Sequence, residues 1–129
     1  MSGRNPATMK PVPQVSCKAP LTLYVASTFR ARLLGVGAFP GRSAHDGVVL
    51  VPCRSIHTFF LRKAIDVVFL DKQGRECRRI ECMRPWRMAF AARAHLVVEL
   101  PAGYCARHPD TLARIHAALQ LRVFPRLSE

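Results

Sequence analysis

No stretch of the chain stays apolar for the roughly 20 residues that a membrane-spanning helix requires. The opening MSGRNPATMKPVPQVSCKAP carries charge and proline but lacks the apolar core of a secretory signal. These two absences lead to the expectation of a cytoplasmic protein that does not enter a membrane. There is no glycine-rich phosphate loop and no nucleophile elbow. The five cysteines are odd in number and irregularly spaced, a poor disulfide framework. Cys77 and Cys82 differ by five positions and would fall on opposite sides of a regular strand. No pairing with His95 or His108 has metal-ligand spacing, so neither a metal nor a cofactor is expected. Acidic residues are also scarce: 8 Asp and Glu face 20 Lys and Arg, for a formal net charge of +12.

That excess is mostly arginine, and it favours an acidic partner: nucleic acid, an anionic surface or a phosphorylated ligand. The arginines are distributed from Arg4 to Arg126 with no run of five, so a solvated basic surface is the plainer reading. At 129 residues, with 50% hydrophobic and 22% charged residues, the chain has the size and mix of one globular domain.

Residues 1–20 hold Pro6, Pro11, Pro13 and Pro20 and read as an extended, flexible arm. Residues 21–129 then form a single domain. LTLYVA at 21–26 alternates as a strand does. In STFRARLLG, Ser27 can cap a short helix that Gly35 ends. Residues 37–47 are a turn-rich loop. The most apolar part is 48–74, with strands expected near 47–51, 55–61 and 64–70. Asp71-Lys72-Gln73-Gly74 reads as a hairpin loop in which Gly74 takes positive φ, followed by an antiparallel strand at 75–82. Arg84-Pro85-Trp86-Arg87 breaks the pattern, and residues 94–100 alternate again. Leu112, Ile115 and Leu119 share one face of a C-terminal helix entered by Pro109 or Asp110, with a last strand expected at 121–124. The fold expected is mainly β: a small β-sandwich or partly open, jelly-roll-like barrel with a short N-terminal helix and a C-terminal helix.

Few residues suggest chemistry. Cys53, Ser55 and His57 share a face of an extended strand, but Cys53 and His57 would stand about 13 Å apart at their Cα atoms. A buried thiol and a hydrogen-bonded histidine are the plainer reading. Asp66 lies on a strand face with Val68 and Leu70, where an ionised carboxylate needs a partner or several backbone donors. It is either a structural ion pair or capped turn, or an active-site acid. Trp86, next to Arg87 and close to Arg84, either stacks on a ligand or folds back over the sheet.

The block CRSIHTFFLRKAIDVVFLDKQG, then RPWR, then AHLVVELPAG, resembles the domain of unknown function 192 family. LTLYVASTFRARLLGVG is similar to that family's usual opening. The resemblance covers about residues 21–103. It implies a compact β domain with a short helix after the first strand, and it implies no established activity or catalytic residues. The matching positions are His57, Phe60, Asp66, Asp71, Gly74, Pro85, Trp86, Glu99 and Gly103. The chain departs from the pattern at Leu61-Arg62-Lys63-Ala64, where members commonly carry an aromatic residue and a proline. It departs again after Gly103, where a helix stands in place of a strand and turn.

Three functions are consistent with these readings. The leading one is a non-catalytic binding or accessory module for an anionic or aromatic ligand or partner, with Arg62, Trp86 and Arg87 as ligand contacts. The second is an enzyme using His57 and Asp66 as acid and base, with Glu99 in reserve. The third is a nucleic-acid binder acting through its basic surface.

Overall fold

The computed structural model describes residues 19–26, 44–59 and 61–122. Their elements, in chain order, are β1 (Thr22–Val25), β2 (Asp46–Leu50), β3 (Ser55–His57), β4 (Ile65–Leu70), β5 (Glu76–Met83), β6 (Met88–Phe90), β7 (Leu96–Pro101), α1 (Tyr104–Arg107) and α2 (Thr111–Arg122). Five strands form one sheet in the order β1-β2-β7-β4-β5. β1 and β2 run parallel and the other neighbours antiparallel. β3 and β6 pair separately as an antiparallel two-stranded ribbon.

β4 lies between β7 and β5, and all six of its residues are buried. A strand covered on both faces has no solvent side, which is why IDVVFL shows no apolar–polar alternation apart from Asp66. On one face, Val68 and Leu70 join Leu23, Val49, Val98 and Leu100 beneath Ile115, Ala118 and Leu119 of α2. On the other, Ile65, Val67, Phe69 and Val97 meet Ile56 of β3 and Ala89 of β6. Each fully buried aliphatic or aromatic side chain contributes about 1.5–3 kcal/mol, so both layers are needed. Gly47 permits a close approach of β2 to β7: a Cβ there would stand 2.8 Å from the Glu99 carbonyl oxygen.

Among the described strands β5 lies at the sheet edge, and its burial pattern is mostly exposed. Its register against β4 shifts twice, between Ile65 and Val67 and between Phe69 and Leu70. Bulges of this kind twist an edge away from further pairing, and Arg78, Arg79 and Glu81 add charge to it.

The mainly β expectation holds, with two differences of layout. Among the described residues, a helix rather than a second full sheet covers one face, and a two-stranded ribbon covers part of the other. The described residues close no barrel. The strand expected over 55–61 ends at His57, because Thr58 turns the chain. The helix over 111–122 runs through Leu121 and Arg122, where the start of a last strand was expected. The helix expected near Ser27 lies outside the described residues. Gly74 does take positive φ, at +82°. Its carbonyl oxygen lies 2.7 Å from Nε2 of His116 on α2, which fastens the hairpin tip to the helix.

Candidate functional site

Asp66 is fully buried and faces the α2 side of the sheet with Val68 and Leu70. Its Oδ1 accepts from the backbone amides of Cys82 at 2.8 Å and Gly103 at 3.1 Å. Its Oδ2 accepts from the amide of Cys105 at 2.9 Å. Local backbone geometry delivers these three donors. Cys82 sits at the β5 bulge with φ +55°, and Gly103 has φ +84° at the entry to α1. Both conformations turn an amide inward that a regular strand would spend on its neighbour. One carboxylate therefore ties together the β4–β5 pair and the β7–α1 turn. The thiol of Cys105 lies in the same pocket, and its pKa is pushed up to about 11, first by burial and next by the Asp66 charge.

Thr58, also fully buried, does comparable work on the other side. Its hydroxyl donates to the Arg84 carbonyl at 2.6 Å and accepts from the Arg87 amide at 2.9 Å. Its own amide donates to the Arg87 carbonyl, and its carbonyl accepts from the Trp86 amide at 3.0 Å. These four bonds hold the Arg84-Pro85-Trp86-Arg87 loop, including Trp86 at φ +63°. A bulky residue in the left-handed region costs about 1–2 kcal/mol, so the loop needs such fixing.

The ribbon presents two unlike faces. Ile56 and Ala89 point to the core, while Ser55, His57, Met88 and Phe90 alternate outward. His57 stacks on Phe59 with ring centroids 4.6 Å apart, and Phe59 stacks on Trp86 at 5.5 Å. Trp86 is 57% exposed, Met88 72% and Phe90 57%. Together these large apolar side chains form an exposed strip on a braced backbone, an arrangement that marks interaction surfaces.

Beside this strip lies an open groove of about 1060 Å³. Its walls come from residues 52–55, the hairpin 71–75 and residues 90–95, with Arg54, Lys72, Arg75, Arg93 and His95 among them. Asp71 is the groove's one carboxylate among the described residues, and it is engaged. Its Oδ1 accepts from the amides of Gln73 and Arg75, and its Oδ2 pairs with Arg75 Nε at 3.0 Å. The Arg75 backbone hydrogen bond, followed by the Arg75 side chain, holds the Asp71 pKa below its ordinary value. Arg54, Lys72 and Arg93 form no ion pair among the described residues.

The candidate acid–base residues are not brought together. Asp66 lies on the α2 face, whereas His57 stands on the outer side of the ribbon that packs against the opposite face. His57 Nδ1 receives the Phe59 amide at 3.3 Å. Glu99 is buried in β7 on the same side as Val67 and Val48, its register partners. Of the ligand-contact candidates, Trp86 and Arg87 lie together in the braced loop, with Arg87 exposed. Arg62 is exposed in the turn before β4 and does not line the groove. Cys53 does line it, with its Sγ 2.9 Å from the Ser55 carbonyl oxygen. Among the described residues, no three His, Cys, Asp or Glu side chains stand close enough to hold a metal ion, and no helix is long and apolar enough to cross a membrane.

Sequence reasoning missed Phe59, Met88, Phe90, Arg54, Lys72 and Arg93 as parts of one surface, and Thr58 as the buried brace beneath it. The signal available was weak: Met88 and Phe90 follow the family-like RPWR block at strand spacing, with small Ala89 between them.

Comparison with known proteins agrees with this layout. A UPF0127 protein of Pyrococcus horikoshii is 35% identical over 83 residues, which cover 61% of this chain and 71% of that protein. A UPF0127 protein of Thermococcus sibiricus is 34% identical over 85 residues, or 61% of this chain and 54% of the relative, so the chain spans about half of that protein's length. A crystal structure of a protein of unknown function from Novosphingobium aromaticivorans has a similar fold, with TM-score 0.59 and 17% identity over 67% of each chain. So does a Sinorhizobium meliloti protein provisionally described as a transcription regulator, with TM-score 0.59 and 18% identity over 67% of this chain and 73% of that one. The DUF192 family model, described as Uncharacterized ACR, COG1430, matches residues 12–109. With three-quarters of its length inside that match, the chain belongs to the DUF192 family.

Proposed function

We propose that the chain is a non-catalytic binding module for an anionic ligand or partner, received by the basic groove. The observation that carries this reading is the set of cations in the groove, Arg54, Lys72 and Arg93, which have no acidic partner among the described residues. Low-dielectric walls focus the field of like charges in a cleft and raise the local concentration of a counter-charged ligand. The polar side chains that resemble catalytic groups have other work. Asp66 has its oxygens occupied by three backbone amides, and His57 is separated from it by the sheet. The two residues supply no shared proton path of the kind general acid–base catalysis requires.

The test is a titration with inorganic pyrophosphate, a minimal polyanion, followed by backbone amide chemical shifts. Saturable shifts confined to residues 52–55, 71–75 and 90–95, and abolished by Arg54→Gln with Arg93→Gln, are the expected result. Absence of saturation, or shifts spread evenly over all basic residues, would overturn the reading. So would a turnover activity that His57→Ala or Asp66→Ala abolishes.

A further inference from the structure

The groove opens directly onto the aromatic strip. Ser55 and Phe90 line the groove and are register partners at one end of the ribbon. His57 and Met88 form the next outward-facing pair, and Phe59 and Trp86 stack beyond them. From Ser55 to His57 the path is about 7 Å at strand rise, and Phe59 follows after the turn at Thr58. Along it lie three large apolar side chains, Phe90, Met88 and Trp86, each more than half exposed.

Charge along the chain is sorted in the same way. The two segments that build the ribbon and its flanks, residues 52–65 and 82–98, carry Arg54, Arg62, Lys63, Arg84, Arg87 and Arg93 and no Asp or Glu. The acids of the described residues lie elsewhere: Asp46 on β2, Asp66 and Asp71 on and after β4, Glu76 and Glu81 on β5, Glu99 on β7 and Asp110 before α2. Of these, only Asp71 reaches the groove, and Arg75 neutralises it. The two segments that bear the exposed aromatic side chains are therefore basic with no acid to offset them, whereas elsewhere among the described residues acids and bases are mixed.

We propose that groove and ribbon form one continuous site for a short single-stranded nucleic acid, with phosphates on Arg54, Lys72 and Arg93 and bases against Phe90 and Trp86. This inference rests on the anion-binding reading and names its ligand. Cations alone would accept any polyanion. Exposed aromatic faces add a preference for unpaired bases, because a duplex hides the faces of its bases and a single strand offers them for stacking. The braced Trp86 loop supports the same ligand, since a ring already held in place loses little freedom when a base settles on it.

The test uses the full chain with a fluorescent oligothymidylate of about ten nucleotides, within the range of site sizes known for small β domains, and a duplex of equal length. Trp86 is the one tryptophan of the chain, so quenching of its emission reports stacking at that ring. Three phosphate contacts on a single strand predict a log–log salt slope of about −2. Arg54→Gln with Arg93→Gln should flatten that slope to about −0.7 and weaken binding more than about tenfold at low salt. Phe90→Ser should weaken binding about tenfold or more and leave the slope unchanged, because stacking releases no counterions. Arg107→Gln, at an exposed arginine on α1, should leave affinity intact. Duplex binding as tight as single-strand binding, or wild-type affinity in Phe90→Ser, would overturn the proposal. Pyrophosphate binding in the groove without tighter oligothymidylate binding would overturn it while leaving the anion-binding reading standing. Failure of both ligands would overturn both.

Discussion

Asp66 and Thr58 are both fully buried polar side chains, and each fixes a loop through backbone groups. They stand at opposite faces of the same sheet and lead to opposite results. Asp66 gathers the amides of Cys82, Gly103 and Cys105 into a closed pocket where the carboxylate is inaccessible. Thr58 holds the Arg84–Arg87 loop so that Trp86 is set outward at 57% exposure. A buried carboxylate in an apolar strand looks like the reactive group of the chain, yet its oxygens go to structure. The threonine carries no conspicuous chemistry, yet it sets the loop that displays Trp86.

This contrast can be broken by mutation. The largest effect is expected from Asp66→Ala, which takes the acceptor from one buried and two partly buried amides and should lower stability by about 4 kcal/mol. Asp66→Asn keeps one acceptor oxygen but turns an NH2 group toward an amide, and should cost about 2–3 kcal/mol. Urea unfolding followed by far-ultraviolet circular dichroism measures both, and wild-type midpoints would show that the amides find other acceptors.

Thr58→Val is the matching change on the other face. It keeps the side-chain volume and removes the hydroxyl that bridges Arg84 and Arg87, so about 1–2 kcal/mol should be lost. Faster hydrogen exchange at the Arg87 and Trp86 amides, with β4 and β7 still protected, would show that the loop loosens locally. Equal deprotection throughout the sheet would show instead that the two anchors belong to one cooperative unit.

Met88→Ser removes a side chain that is 72% exposed and should change stability by less than about 0.5 kcal/mol. A larger loss in thermal melts would mean that the strip is packed rather than displayed.

The smallest effect concerns Asp71, whose pKa is lowered in the folded chain from 3.8 by hydrogen bonds from Arg75 and Gln73. A depressed carboxylate stabilises the fold above its unfolded pKa, and that contribution fades as pH falls through the folded value. The hairpin 71–75 should therefore keep its protection at pH 5 and begin to lose it only below 3.8. Amide exchange at Gln73 and Arg75, compared across that range, checks the sign: loss of protection already above it would contradict the lowered pKa.

The large sheet was legible in sequence because its strands alternate or form short apolar runs between turn residues. Asp71 through Gly74 announced the β4–β5 hairpin, and Leu112, Ile115 and Leu119 announced the packed face of α2. β6 was not legible. Met88-Ala89-Phe90 puts its large apolar side chains toward solvent and its small one toward the core, the reverse of the usual amphipathic rule. α1 was hidden because four residues are too few to show a helical period. The site was read only in part for a related reason. Asp66 stood out as a buried acid, but its partners are main-chain amides, which every residue except proline carries and no sequence pattern singles out. Trp86 and Arg87 stood out as neighbours in the chain. Their association with Phe90, Arg54 and Arg93 depends on the β3–β6 pairing and on where the hairpin 71–75 lands, both of which are long-range outcomes of packing.

The 2.7 Å contact between His116 and Gly74 makes α2 a distant handle on the groove. The hairpin tip that α2 grips belongs to the loop bearing Lys72 and Arg75, two of the cations on the groove's rim. His116→Ala would untether that loop without touching a residue that lines the groove. A change at the C-terminal helix can therefore shift groove residues that it does not itself contain.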